Sequence, residues 1–129
     1  MAKDLISMLK VSGAQVATFQ KRHPRTLLSK AQFDSPHPVP YNSYGSTYGE
    51  HREYLEFSID QHKVLIDHCE KEGVIYSTSV WDVISAKEII ELNPSFIKIP
   101  SACNNNLYLL QVLRDDYKGE IHVSLGMTN

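Results

Sequence analysis

Apolar positions along this chain follow two alternating rhythms. Over residues 2–11, Leu5, Ile6, Met8 and Leu9 fall at helical spacing, and Gly13 stands where such a helix must stop. Gln15-Val-Ala-Thr-Phe19 then reads as a strand. From Ser58 the rhythm is regular. Ser58-Ile-Asp-Gln61 is a capping box, Ile59, Leu65, Ile66 and Cys69 lie on one helical stripe, and Gly73 ends the helix. Val74-Ile-Tyr-Ser-Thr78 predicts a strand. Asp82 caps a second helix with Val83, Ala86, Ile89 and Ile90 facing inward, stopped by Asn93-Pro94. Phe96-Ile-Lys-Ile99 predicts a strand, Asn106 to about Asp116 a third helix, and Glu120 to Leu125 a last strand. Between Lys21 and Phe57 there is no rhythm. The segment is polar and aromatic, holds the tract Pro40-Tyr-Asn-Ser-Tyr-Gly-Ser-Thr-Tyr-Gly49, and is expected as one long functional loop over 21–57. Its tyrosines argue against simple disorder.

The later strand centres, near Ile75, Ile97 and His122, lie roughly 22–25 residues apart, the repeat of a βα unit with short connections. Strands alternating with helices predict a parallel sheet with right-handed crossovers. Two α/β architectures fit residues 1–129. One is a small doubly wound sheet of four strands. The other is about half of a (β/α) TIM barrel, because a complete one needs ~200–250 residues. The chain opens on a helix without a preceding strand and stops just past a strand, which favours the barrel slice.

Charge and composition narrow the partners. Thirteen Lys and Arg against 15 Asp and Glu give a net charge of −2, so no basic footprint for nucleic acid or an anionic membrane is present. No apolar run reaches the ~20 residues of a membrane span. Neither nucleic acid nor membrane is expected as a partner. Cys69 and Cys103 fit no disulfide framework and no metal-ligand spacing, and a reducing, cytoplasmic setting is expected.

In parallel α/β architecture the C-terminal strand ends carry the chemistry. Here they read Thr18-Phe-Gln20, Ser77-Thr78-Ser79, Lys98-Ile-Pro-Ser101 and Ser124-Leu-Gly126. Small hydroxyls, an amide and one lysine suit a phosphate or a carboxylate. Taken singly, each hydroxyl is equally explained as a helix cap. Lys98 is sharper, since it lies between Ile97 and Ile99 in a strand expected to be buried on both faces. The other candidates carry less. His62 and His68 are six apart on one helix and cannot share a face. His23, His37 and His51 lack ligand spacing, His122 reads as a core residue within a strand, and Cys103 reads as a small buried group.

As a set, five segments resemble the sialic acid synthase family, the N-acetylneuraminate synthases and their legionaminic and pseudaminic relatives. They are Phe19-Gln20-Lys-Arg22, Tyr48-Gly-Glu-His-Arg-Glu53, Ser77-Thr-Ser-Val-Trp-Asp82, Lys98-Ile-Pro-Ser101 and Ser124-Leu-Gly-Met127. The resemblance implies a (β/α) barrel running here from its first helix to its fifth strand. It also implies a transferase that condenses phosphoenolpyruvate with an open-chain N-acetylated sugar such as N-acetylmannosamine, giving a nonulosonic acid and phosphate. Carried over residue by residue, Thr78, Lys98, Ser101 and Ser124 would hold phosphoenolpyruvate, with Lys98 the catalytic centre of that set, and Gln20 would face the sugar. The family uses a divalent metal, typically manganese, and the complete enzyme is expected as a homodimer. No residue of this chain matches the metal ligands, which the resemblance places beyond Asn129. Two positions depart from the pattern: Thr18 stands where many members have lysine, and Cys103 where many have glutamate. The 129-residue chain alone is therefore expected to be inactive. Two alternatives stay open at this point: a Schiff-base aldolase using Lys98, and a non-enzymatic anion-binding α/β module.

Overall fold

In a computed structural model that describes residues 1–126, four strands form one parallel sheet: β1 (Val16–Lys21), β2 (Ile75–Val80), β3 (Phe96–Ile99) and β4 (Glu120–Val123). Met127, the last residue of the fifth matching segment, lies outside the described residues. The strands are hydrogen-bonded in the order β1-β2-β3-β4, and all three pairs are parallel. A doubly wound sheet reverses direction at a switch point, whereas this order advances one way throughout. The doubly wound alternative is thereby excluded, and the sheet is an open stretch of the kind that closes into a barrel. Crossovers of one hand and one direction put the helices on a single face.

Those helices are α1 (Ala2–Val11), α5 (Ile59–Glu72), α6 (Val83–Leu92) and α7 (Leu107–Asp116). Their ends are where the local chemistry requires. Ser58 and Gln61 form the capping box at the start of α5, and Asp82 caps α6 by accepting from Ser85 N at 2.8 Å. Gly73 and Asn93, both left-handed, close α5 and α6 and satisfy carbonyls of the last turn. The core lies between helices and sheet in two clusters. Ile6, Ala17, Leu65, Cys69 and Tyr76 fill the first; Ile89, Ile97, Ile99, Leu109 and Leu113 fill the second. Each fully buried Ile or Leu contributes roughly 1.5–3 kcal/mol through removal of apolar surface from water. Tyr117 locks the far end by donating its hydroxyl to Pro94 O at 2.5 Å.

The segment expected as a long loop is built instead of short helices: α2 (Pro24–Leu27), α3 (Lys30–Asp34) and α4 (Tyr48–Leu55), with one 3-10 turn at Pro40–Asn42. Ser29 with Gln32 and Thr47 with Glu50 make two further capping boxes. Gly49 lets α4 press onto the Phe33 ring of α3, where an added Cβ would lie 2.2 Å from ring carbons. The guanidinium of Arg25 covers the same ring at 4.3 Å.

Candidate functional site

Strand alternation decides which side chains leave the core. Ile97 and Ile99 are fully buried in the helix-side cluster, so Lys98 between them is on the opposite, inner face of the sheet, half-buried. The register then gathers a row. Gln20 is level with Ser79, Ser79 with Lys98, and Lys98 with His122. In parallel strands residues that are level point to one face, so an amide, a hydroxyl, an ammonium and an imidazole cross the sheet together. Among the described residues no ion pair or hydrogen bond is made by the Lys98 ammonium.

The next layer lies just past the strand ends. After Pro100 the chain makes a 3-10 turn over Ser101–Cys103, which brings Ser101 Oγ to 3.2 Å from Ser124 Oγ beyond β4. Asn104 Nδ2 donates to Ser124 O at 3.0 Å and fixes that turn against β4. Gly126 packs beside this pair, where an added Cβ would make ordinary contact with the Ser101 hydroxyl at 3.5 Å. Lys98, Ser101, Ser124 and Gln20 are thus gathered at one end of the sheet on the side away from the helices.

Thr78 is not brought to them. It is level with Ile97 and with Phe19, which places it on the helix-facing side, fully buried. There it neighbours Tyr76, whose hydroxyl bonds His62 Nδ1 at 2.8 Å. Burial pushes the Tyr76 phenol well above its ordinary range, with the Thr78 hydroxyl opposing the shift. Burial, with Lys21 nearby, pushes the fully buried His62 imidazole down to about 4, so it is neutral at physiological pH. The inner-face hydroxyls of β2 are Ser77 and Ser79. Ser77 Oγ is spent on Phe96 O at 3.1 Å, which leaves Ser79 as the β2 hydroxyl beside Lys98. Sequence reasoning did not single out Ser79; counting the register from Lys98 is the signal that finds it.

His122 also differs from expectation. It is exposed on the inner face, stacked on Phe96 with ring centroids 4.3 Å apart, and its Nε2 pairs with Glu120 Oε1 at 2.8 Å. His62 and His68 go to separate places, His68 meeting Ser7 and Glu72 near α1. Among the described residues no three His, Cys, Asp or Glu side chains are grouped to hold a metal ion.

A cavity of about 440 Å³ adjoins the strand ends, lined in part by Arg22, Tyr48, Arg52, Trp81, Ala102 and Cys103. Arg22 leaves β1 two residues after Gln20. Glu56 braces it twice, accepting from its backbone N at 3.1 Å and its Nε at 2.6 Å. The guanidinium lies 5.9 Å from the Trp81 ring centroid. The Cys103 thiol donates to Trp81 O at 3.3 Å, and burial, with Asp82 nearby, pushes it up. It is therefore a protonated thiol at neutral pH rather than a thiolate nucleophile. The remaining loop histidines form a surface stack, His37 and His51 having centroids 4.2 Å apart.

Comparison with known proteins gives the family and the fold. A model described as the NeuB family matches residues 5–129. Human N-acetylneuraminate-9-phosphate synthase is 35% identical over 111 residues, covering 86% of this chain and 31% of that protein. The Drosophila melanogaster protein of the same name is 37% identical over 110 residues, covering 85% and 29%. The N,N'-diacetyllegionaminic acid synthase of Campylobacter jejuni is 28% identical over 130 residues, covering 100% and 38%. The chain thus spans about a third of the length of the curated relatives it matches. A crystal structure of N-acetylneuraminic acid (sialic acid) synthetase from Leptospira borgpetersenii, in complex with citrate, superposes with a TM-score of 0.77 at 17% identity, covering 99% of this chain and 40% of that one. That likeness is one of fold.

Proposed function

The chain belongs to the NeuB family, and from that premise we propose that it supplies the phosphoenolpyruvate cradle of a synthase that joins this three-carbon acid to an N-acetylated sugar. The observation that supports the reading is the placement of Lys98: a lysine on the inner face, without a counter-ion among the described residues, level with Ser79 and Gln20 and adjoined by the Ser101–Ser124 pair. An ammonium among hydroxyls and amides fits an anionic ligand, and a ligand with two anionic groups uses more of these donors than a ligand with one.

In the proposed reaction the methylene carbon of phosphoenolpyruvate attacks the sugar aldehyde, forming a carbon–carbon bond. Water adds to the resulting cationic carbon, and phosphate leaves with cleavage of its bond to that carbon. The residues of this chain contribute by charge and position. Lys98 neutralises the ligand's negative charge and stabilises it as it redistributes toward the leaving phosphate. Ser79, Ser101 and Ser124 donate hydrogen bonds, and Gln20 presents its amide toward the sugar. Thr78 would join the cradle only through a change of strand register, so its contribution is to pack β2 under α5. A divalent metal, held by groups other than the described residues, would supply Lewis-acid polarisation of the aldehyde. Among the described residues no His, Cys, Asp or Glu side chains are grouped as a ligand set for it.

The test is phosphoenolpyruvate binding to the chain and to Lys98→Ala. Loss of a charged hydrogen bond to a bound anion weakens binding about 10- to 100-fold. Lys98→Arg restores only part of this, because a planar fork does not fill a slot built for a point charge. Equal affinity in wild type and Lys98→Ala would remove the reading's support. Borohydride trapping of a carbonyl compound on Lys98 would replace it with the aldolase alternative.

A further inference from the structure

We infer that His122 is the second cation of the Lys98 cradle, and that the phosphoryl group of the ligand lies between its imidazolium and the Lys98 ammonium. The inference rests on the synthase reading and adds to it a ligand-binding residue that works only when protonated. Three observations carry it. First, the register sets His122 level with Lys98 on the neighbouring strand, so both side chains leave the same, inner face of the sheet. Neighbouring strands lie about 4.8 Å apart, a spacing that two donors on either side of one tetrahedral anion can span. Second, the ring is held so that one nitrogen stays open. Its Nε2–H donates to Glu120 Oε1 at 2.8 Å, and the ring stacks on Phe96 with centroids 4.3 Å apart and planes 17° from parallel. Among the described residues Nδ1 makes no hydrogen bond. With Nε2–H committed to the carboxylate, the neutral ring carries a lone pair at Nδ1 and turns an anion away; the protonated ring offers an N–H there instead. Third, the surrounding charges favour the protonated ring most when an anion is present. Among the described residues β3 alone pairs with β4, and the charged side chains of these two strands are Lys98 and Glu120. The turn after β3, residues 101–106, adds none. Glu120 attracts the imidazolium and Lys98 repels it. A phosphoryl group between the two cations cancels that repulsion, so binding draws a proton onto the ring. The Ser101–Ser124 hydroxyls lie beyond His122 at the strand ends and complete the donor set.

Titration calorimetry in buffers of different ionisation enthalpy reads affinity and proton uptake together. The probes are phosphoenolpyruvate and pyruvate, titrated into wild type, His122→Gln and Lys98→Ala between pH 6 and 8.5. The ligand's own ionisation is common to all three proteins and cancels in the comparison. At pH 6, His122→Gln is expected to bind phosphoenolpyruvate about tenfold more weakly than wild type, and at pH 8.5 within about twofold. Near neutral pH, wild type is expected to take up more protons per phosphoenolpyruvate than His122→Gln. Pyruvate, which lacks the phosphoryl group, is expected not to distinguish the two proteins. A ring–carboxylate pair that served only the fold would change stability and leave the proton count where it was. Equal proton uptake in wild type and His122→Gln, an affinity difference that does not vary with pH, or the same effect with pyruvate would overturn the inference. Lys98→Ala separates the two levels. Lys98-dependent binding without the His122 effect sinks the second cation and leaves the cradle. A His122 effect with binding indifferent to Lys98→Ala sinks the cradle and the bridge with it, and so does the absence of saturable phosphoenolpyruvate binding by wild type.

Discussion

Lowering the pH should unfasten β2 from α5 through His62. The imidazole is fully buried between α5 and the sheet, donates to or accepts from Tyr76 Oη through Nδ1, and leaves Nε2 buried without a partner. Protonating it places a charge where neither water nor an anion can answer it. Its folded value is about 4 against 6.5 for the free group. The folded state therefore binds the proton less well than the unfolded chain, so stability is complete above pH 6.5 and falls as pH drops toward 4. The slope approaches ~1.4 kcal/mol per pH unit, which integrates to about 2 kcal/mol by pH 5 and about 3 kcal/mol by pH 4. His62→Gln removes the titration while keeping a polar group near Tyr76, at a cost of roughly 1–2 kcal/mol at pH 7. Urea unfolding midpoints of both proteins at pH 7, 6, 5 and 4.5 isolate the effect, because titrating carboxylates act equally on the two. The variant's curve should be flatter by about 2 kcal/mol between pH 7 and 5. Parallel curves would mean that His62 titrates as a free imidazole, and the account of the β2–α5 contact would be wrong.

Asp82 joins three donors, Ser85 N, Ser85 Oγ and His23 N, each at 2.8 Å, and so ties the start of α6 to the chain leaving β1. Asp82→Ala should cost roughly 2–3 kcal/mol in urea unfolding, with Asp82→Asn recovering about half; a loss below 0.5 kcal/mol would show that these bonds are not formed together. Gly49→Ala must displace the Phe33 ring, so α3 and α4 should part, and limited proteolysis should cut between residues 24 and 55 several-fold faster than in wild type. An unchanged cleavage rate would mean that this helical connection is not packed as described.

Much of this was readable from the residues. Ser58 with Gln61 announced α5, Gly73 and Asn93 marked two helix ends, and Phe96–Ile99 was placed to the residue because apolar positions flank a lone lysine. The same alternation put Lys98 on the face away from Ile97 and Ile99. Thr78 shows where the reading stopped. Ser77-Thr78-Ser79 is three small polar residues in a row, so no apolar partner reveals the phase, and only the pairing of Ser79 with Lys98 assigns the faces. His122 differs for a related reason: β4 is an edge strand with β3 on one side only, so a residue within it is left open on the other. The segment over 21–57 hid its helices because four to eight residues are too few for an apolar stripe to show. Its capping boxes, Ser29 with Gln32 and Thr47 with Glu50, were present and match the one that was read at Ser58. The cavity between Arg22 and Arg52 was illegible, since those residues are thirty positions apart and meet only when α4 folds back over the strand ends.

The most direct test of the cradle is to map phosphoenolpyruvate onto the chain by amide chemical-shift perturbation. The account predicts that shifts concentrate on Gln20, Ser79, Lys98, Ser101, Asn104 and Ser124, and that Lys98→Ala abolishes them at the same ligand concentration. Shifts centred on Tyr76, Thr78 and His62 beneath α5, or a pattern unchanged in Lys98→Ala, would contradict it.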